Sequence, residues 1–437
     1  MSASARVAPQ VRSLDIEWVR QQFPALKQTV NGQPAVFFDA PGGTQVPQQV
    51  IDAISEYLSK WNANLGGSFL TSQRSDLIVD QAHQAMADFF NCSPDEVVFG
   101  ANMTTLTFAL SRAIGRELKG GDELLVTCLD HDGNVSPWVC LEERGAKVRT
   151  ADIKPADCTL DMFDLQAKIR RNTRLLAVGW AANAVGTVND VREAIRLAHD
   201  VGAMTFIDAV HYAPHGVIDV KEIDTDFLAC SSYKFFGPHQ GILYGKREQL
   251  LRLRPYKLRV CSEKLPDRWE TGTQNHECMA GVTAAIDYIA QVGRHHGAET
   301  HTRREAIVAA YEVFHQHERE LAEQLIRGLL EIPGVTFYGI SDPEKFDQRT
   351  PTVAIRMEGY TPRELATYLG ERGIFTWDGN YYAINLAERL GVQQSGGMVR
   401  IGLAHYNTAE EVERMLSELR ELPSGKAKDK LAADLRG

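Results

Sequence analysis

Between residues 80 and 245 the chain alternates helix-length amphipathic stretches with short apolar or β-branched runs, with turn signals between them. That rhythm restricts the fold more than any other feature. Parallel strands need a long crossover, usually a helix, so the alternation predicts a mostly parallel sheet covered by helices. The clearest unit runs from TRLLAVGWAAN (173–183) through DVREAIRLAHDVGA to the strand MTFIDAV. Asp190 is placed to cap that helix, with Glu193 three residues on. Val191, Ala194, Ile195, Ala198 and Val201 form its apolar stripe, and Gly202 suits its end. Further strands are expected at EVVFGA (96–101), DELLVTCL (122–129) and AKVRTADI (146–153). In open parallel sheets ligands sit beyond the carboxyl ends of the strands, so the residues just after each strand are the candidates for chemistry.

Around 285–330 the pattern changes to long charged helical stretches such as HTRREAIVAAYEVFHQHERELAEQLIRGLLE. Beyond it VTFYGI, TPTVAIRM, NYYAINL and MVRIGLA read as strands, and TAEEVERMLSELREL as a helix capped by Thr408. A length of 437 residues suits one large domain with a smaller companion. The expected organisation is an N-terminal segment (1–35) packing with the smaller domain, a large domain (36–290), a small C-terminal domain (291–425) and a solvated tail (426–437).

Lys plus Arg (47) against Asp plus Glu (57) gives a net charge of -10, which repels phosphate backbones and anionic membranes; no nucleic-acid or membrane partner is expected. No apolar run approaches the ~18 residues of a membrane span, and the opening MSASARVAPQVRSLDIEW lacks the apolar core of a secretory signal. Seven scattered cysteines, none after Cys278 and none in a CxxC pair, suit reduced thiols better than disulfides or zinc. A cytoplasmic location is the expectation.

Three strand ends carry suggestive chemistry. Lys234 lies among small, aromatic and glycine residues in CSSYKFFGPHQGILYG. Apolar walls strip hydration from an ammonium and leave more neutral amine to attack an aldehyde, although most lysines are solvated surface charges. Asp208, in FIDAVHYAPH, ends an apolar strand where a carboxylate can keep a pyridinium nitrogen protonated; a turn or cap aspartate looks the same. Thr104, in NMTTLTFAL, falls at a helix start, where N–H groups and the dipole favour a phosphate, or where it merely caps.

Together these stretches resemble the class V aminotransferase family of pyridoxal-phosphate (PLP) enzymes, and within it the cysteine-desulfurase-like group. The resemblance is carried by FFDAPGGTQVP, GANMTT, LDHDGNVSPW, ANAVGT, FIDAVH, SSYKFFGPHQGILYG, ETGTQNHE and VRIGLAHYNTAEEVERML, spanning residues 37–415. It implies an α/β chain of PLP-dependent transferase fold type I, with a mostly parallel seven-stranded sheet in the large domain and a smaller α+β C-terminal domain. It implies that Lys234 bonds the cofactor and carries the α-proton, that Asp208 pairs with the pyridine nitrogen, and that His211 and Asn183 contact the ring oxygen. Asn102, Met103, Thr104, Ser231 and Tyr233 would hold the phosphate. Thr273 matches a threonine that reaches the neighbouring subunit's phosphate, which implies a homodimer. Arg400 matches the arginine that holds the substrate carboxylate, a task suited to its planar fork.

Two places depart from the family pattern. Persulfide-forming members need a thiolate on a small-domain loop before that arginine; here the loop reads RGIFTWDGNYYAINL, with Tyr382 at the matching position. A phenol cannot accept sulfane sulfur as a thiolate does. In LDHDGNVSPW the counterpart of the histidine that stacks on the cofactor is Asp132, with His131 one position earlier, so both are candidates for the ring contact. Asp132 could instead pair with a cationic substrate group or cap the next helix. Gly43, beside Gly42, would let substrate approach or only form a turn, and Trp377, Tyr381 and Tyr382 would line a pocket or fill core. His295, His296 and His301, like His315 and His317, read as a solvated helix face rather than a metal site.

The functional expectation is a C–S lyase that eliminates at the β-carbon of a cysteine-derived amino acid without an enzyme persulfide. The alternatives are a class V aminotransferase, an epimerase or cyclase of a specialised amino acid, and, outside catalysis, an interaction protein that has kept the fold.

Overall fold

The computed structural model describes residues 13–297 and 299–422. The expected tail (426–437) and the first part of the 1–35 segment lie outside the described residues. The large sheet has seven strands: β1 (Val97–Gly100), β2 (Glu123–Thr127), β3 (Lys147–Ala151), β4 (Thr173–Gly179), β5 (Met204–Asp208), β6 (Phe227–Ser231) and β7 (Gly241–Gly245). Their spatial order is β1-β7-β6-β5-β4-β2-β3, and only β7 runs against its neighbours. The sheet is mostly parallel, as the alternation implied, and seven-stranded, as the family resemblance implied. Strands β2, β6 and β7 are buried throughout, as expected for a sheet covered on both faces.

The helices that matter below are α1 (Ile16–Gln21), α2 (Leu70–Phe90), α3 (Met103–Ile114), α4 (Val191–His199), α5 (His276–His295), α6 (Arg303–Leu330) and α7 (Ala409–Arg420). Helix α4 is capped as its sequence predicts, the Asp190 side chain accepting the Glu193 N–H at 3.1 Å. Thr408 and Glu411 form a reciprocal capping box at the start of α7. Helix α5 packs on α2 and α6, and α6 continues to α7.

A second, antiparallel sheet of four strands, β8 (Val335–Tyr338), β9 (Thr352–Met357), β10 (Trp377–Gly379) and β11 (Met398–Gly402), has the order β8-β9-β11-β10. Its apolar face, including Val353, Ile355, Val399 and Ile401, closes a core with Leu325 and Leu329 of α6 and Val412 and Leu416 of α7. This is the smaller α+β part.

Two readings are corrected. NYYAINL is not a strand. Tyr381 and Tyr382 both have positive φ (56° and 59°), the Asn380 side chain accepts the Tyr382 N–H at 3.0 Å, and Ile384–Arg389 is helical. Local turn bonding from the asparagine wins over the aromatic and apolar pattern. His295 and His296 are not merely a solvated face. The His295 ring stacks on Trp18 at 4.0 Å, its Nε2 lies 3.1 Å from the Asp15 carboxylate, and His296 Nε2 accepts the Asp15 N–H at 2.8 Å. They pin α1 to the end of α5. His317 likewise bonds inward, its Nε2 lying 2.9 Å from the Asn407 carbonyl oxygen. Among the described residues no helix is long and apolar enough to cross a membrane.

Candidate active site

The carboxyl ends of β2, β4, β5 and β6, the start of α3 and the segment Trp377–Tyr382 surround one cavity of about 990 Å³. Its wall contains Asn102, Met103, Thr104, His131, Asn183, Asp208, His211, Ser231, Tyr233, Lys234, Tyr382 and Arg400. These twelve residues thus come from segments far apart in sequence, which is how an open parallel sheet assembles a site.

Lys234 follows β6 in a single 3₁₀ turn whose backbone is fixed by the Phe235 N–H to Ser232 oxygen bond. Its Nζ donates to the Pro41 carbonyl and lies 4.8 Å from the centre of the Tyr233 ring. Burial, reinforced by the Arg400 charge and opposed by Asp208, lowers its pKa from 10.5 to about 7. A large share of neutral amine is therefore present at neutral pH. Asp208 ends β5, and one of its carboxylate oxygens accepts the Val210 N–H at 2.9 Å. Burial raises its pKa to about 6, against the pull of Lys234. A carboxyl so poorly solvated gains strongly from a cationic partner, which a protonated pyridine nitrogen provides.

At the other end of the cavity Asn102 caps α3, its Oδ1 accepting the Thr105 N–H at 2.8 Å, while the Met103 N–H donates to Ser231 Oγ at 3.1 Å. Gly241 on β7 lies against the Asn102 backbone, where any Cβ would collide, so the bare glycine lets β7 and the helix start come together. The result is the positive end of a helix with a hydroxyl beside it, a site that fits a phosphate.

The third region carries Arg400 from β11. It is 5 % exposed, its Nη1 donates to the Asn183 carbonyl oxygen at 2.8 Å, and its guanidinium lies 4.2 Å from the Tyr381 ring centre. Its Nε and the Asn183 Oδ1 are buried without a partner. Burial lowers the Arg400 pKa to about 10, with Tyr381 and then Asp39 opposing. Asp39, another unpaired carboxyl, is pushed up to about 6 by burial. A guanidinium in the cavity wall with one N–H unsatisfied is a ready anion contact.

His131 and Asp132 separate cleanly. His131 lies in the wall, with Nδ1 accepting the Gly133 N–H at 2.9 Å, so the neutral ring carries its proton on Nε2. Burial and the Lys234 charge lower its pKa to about 4. Asp132 turns away from the cavity, both carboxylate oxygens accepting from Ser136 Oγ at 2.9 and 2.8 Å. Of the two, only His131 lines the cavity, because the short turn after β2 spends the Asp132 carboxylate on the Ser136 hydroxyl. His211 is buried and held neutral, its Nε2 3.2 Å from Thr350 Oγ1. Two other candidates do not reach the wall. Gly43 packs behind Tyr233, with a Cβ position 3.3 Å from that ring, and Gly42 takes its place in the lining. Thr273 lies in an exposed turn away from this cavity.

Several lining residues went unnoticed in the sequence. Asp130 is wholly buried at the end of β2 and accepts the Gly179 and Thr127 N–H groups at 2.6 and 2.8 Å; burial still raises its pKa to about 7. Its place just after a strand was the available signal. His239, also unnoticed, stacks on Tyr233 at 4.8 Å. Trp377, which the sequence offered as pocket liner or core, is in the wall and donates from Nε1 to the Asp39 carbonyl at 3.2 Å. A phosphate-accepting helix start, a buried acid, a partly neutral lysine and an unpaired guanidinium in one cavity fit pyridoxal phosphate with an amino acid beside it.

Comparison with known proteins agrees. Residues 36–415 match the family model for aminotransferase class-V. The chain is 32% identical over 422 residues to the aminotransferase-like protein FGM3 of Gibberella zeae, covering 93% of this chain and 98% of that one. It is 30% identical over 427 residues to a cysteine desulfurase of Pectobacterium carotovorum, covering 94% and 98%. Among solved structures it superposes on the cysteine desulfurase of Thermococcus onnurineus with a TM-score of 0.83 at 26% identity, covering 94% of this chain and 98% of that one.

Proposed function

This chain belongs to the class V aminotransferase family of pyridoxal-phosphate enzymes, and on that premise we propose that it is a lyase that breaks the Cβ–S bond of a cysteine-derived amino acid without an enzyme persulfide. The observation that carries the reading is the cavity wall itself, which contains no cysteine among the described residues and has Tyr382 where the sulfur acceptor would stand. The seven thiols lie elsewhere. Burial holds Cys128 and Cys158 at about 12 and Cys278 at about 11, so they are poor thiolates.

The chain's own groups suit the reaction. The Arg400 fork takes the substrate carboxylate and so orients the α-carbon. Neutral Lys234 Nζ receives the α-proton, and its pKa near 7 lets it hold and release that proton at neutral pH. Asp208 keeps a ring-nitrogen proton in place, and neutral His131 covers the cavity without adding charge. Thr104, Ser231, Tyr233 and the Asn102–Thr104 backbone anchor the phosphate, and Asn183 and His211 attend the ring oxygen. The bound cofactor supplies the electron sink that makes the α-proton acidic.

We further propose a homodimer in which Thr273 reaches the partner's site. Its exposure, and the exposed apolar residues Leu65, Phe69, Leu70 and Leu77 near the start of α2, support self-association. The working division is a cofactor-binding unit of 36–290 and a smaller unit of 291–425, with the N-terminal segment on the latter; the Arg414 donation to the Pro34 carbonyl at 2.6 Å supports that packing. Seven unpaired thiols suit a cytoplasmic setting.

The test is to incubate holoenzyme with cysteine conjugates and ordinary amino acids in the absence of any keto acid. Release of thiol, pyruvate and ammonium is expected. Strict dependence on an added keto acid would establish the aminotransferase reading instead, as the name of the 32% identical relative suggests for that protein.

A further inference from the structure

We propose that the cavity mouth is built to hold a neutral, bulky aromatic substituent at the far end of the substrate side chain, gripped between Tyr382 and Trp377. In the lyase reading, on which the chemical consequence rests, that substituent leaves with the sulfur.

The inference begins with the backbone. Tyr381 and Tyr382 are consecutive non-glycine residues in the left-handed region, φ 56° and 59°. Each such residue costs about 1–3 kcal/mol and persists only where its surroundings fix it. Here they are fixed on all sides. The Tyr381 hydroxyl donates to the carbonyls of Met398 and Trp377, and the Tyr381 carbonyl accepts the Asn183 amide at 2.9 Å. The Tyr382 carbonyl accepts the Asp132 N–H at 2.7 Å, and Asn380 donates to Gln393 at 3.1 Å. This turn sends one ring inward under Arg400 and the next outward, where Tyr382 is 68% exposed with its ring centre 5.3 Å from that of His131.

Trp377 is held as firmly. Its indole N–H bonds to Asp39, and its ring covers Gly42 so closely that a side chain at that glycine would collide with it, yet 48% of the residue remains exposed. Two large aromatic side chains thus stand at the rim, Trp377 held through its indole N–H and Tyr382 through its backbone, with about half or more of their surface in water. Such exposure is unfavourable by about 25 cal/mol per Å² of apolar area, and a ligand ring that covers it recovers this energy plus stacking. Asp378, the acid beside Trp377 in the wall, is engaged by Arg363 at 3.0 Å. The cavity volume of about 990 Å³, at the upper end for small-molecule sites, must take the cofactor together with the substrate.

With a cysteine thioether the chemistry closes without an oxidant or reductant. The Cα–H proton goes to Lys234, the Cβ–S bond breaks with its electron pair on sulfur, and the sulfur takes up a proton. Thioether plus water gives thiol, pyruvate and ammonium. The departing arylalkyl thiol leaves directly through the aromatic mouth.

The experiment separates binding from elimination. S-Benzyl-L-cysteine and S-methyl-L-cysteine are compared as substrates of the holoenzyme, and their methylene isosteres, 2-amino-5-phenylpentanoate and 2-aminopentanoate, as ligands by calorimetry. The phenyl compounds are expected to bind at least about tenfold more tightly than the short ones. That ratio should shrink in Tyr382→Ala and Trp377→Ala and persist in Tyr382→Phe, which keeps the ring. Equal binding of the two isosteres, or a preference untouched by both alanine variants, overturns the proposal. If neither thioether releases thiol while the isosteres keep their tenfold preference, the lyase reading fails and the aromatic mouth stands.

Discussion

The titration of Lys234 gives the most direct test of the site. An ordinary lysine, at 10.5, is about 0.03% neutral at pH 7, whereas one at about 7 is about half neutral, roughly a thousandfold gain in reactive amine. The same fall disfavours the buried ammonium by about 5 kcal/mol, chiefly through lost hydration, with the Arg400 charge adding and Asp208 subtracting. The sign of each perturbation follows. Arg400→Gln removes a positive neighbour and moves the midpoint upward; Asp208→Asn removes the stabilising anion and moves it downward. One partly screened cavity charge contributes about 1 kcal/mol, a little under one pH unit. The assay uses protein freed of cofactor, brief exposure to an amine-reactive reagent across pH 5.5–10, and quantification of modified Lys234 by peptide mass. Wild type should rise through a midpoint near 7, with the two variants on opposite sides of it. A wild-type midpoint above about 9.5, or a common midpoint in all three proteins, would show that the amine is solvated and that the cavity charges do not govern it.

Arg400→Ala should weaken binding of carboxylate substrates by about 2–5 kcal/mol, some thirtyfold to several thousandfold, because it removes the buried fork while Asn183 stays unpaired; an unchanged dissociation constant would remove Arg400 from the site. Glu318→Ala should cost about 3 kcal/mol in urea unfolding, since Glu318 and His215 are both buried and joined at 2.8 Å, and the alanine strands the histidine. A loss below about 0.5 kcal/mol would show that the pair is dispensable. Tyr382→Cys should not collect sulfur from L-cysteine despite restoring the thiol, as judged by the intact mass of the protein; a variant carrying one added sulfur atom on that thiol would refute the claim that the pinned turn matters.

The sheet was legible because buried strands and amphipathic helices write different periods into the sequence, and the αβ alternation leaves few topologies open. The strand-end positions of Lys234, Asp208 and Thr104 were legible for the same reason. Contacts set by distant partners were not. His295 and His296 meet Asp15 some 280 residues away, and His215 meets Glu318 across 103, so neither pairing has a local signature. NYYAINL reads as a strand because its apolar and aromatic residues suit one; a single asparagine bond and two left-handed tyrosines decide otherwise. The choice between His131 and Asp132 likewise turned on one hydroxyl, Ser136, that is available to the aspartate.

These local decisions converge on the same loop. A sulfur acceptor must travel between substrate and solvent, which demands a segment held by few contacts. In this chain the corresponding segment is tied to the turn after β2 through Asp132, to Asn183 in the loop after β4, and to β11 through the Met398 carbonyl. Freeing Tyr382 would break the Asp132 bond and expose the carbonyl it satisfies, and moving Tyr381 would strip the ring from beneath Arg400. The inward tyrosine therefore couples loop position to Arg400, so mobility sufficient for sulfur relay would disturb the proposed carboxylate contact. The proposed lyase accounts for both the tyrosine at 382 and the rigid turn, because its leaving group departs without a protein acceptor.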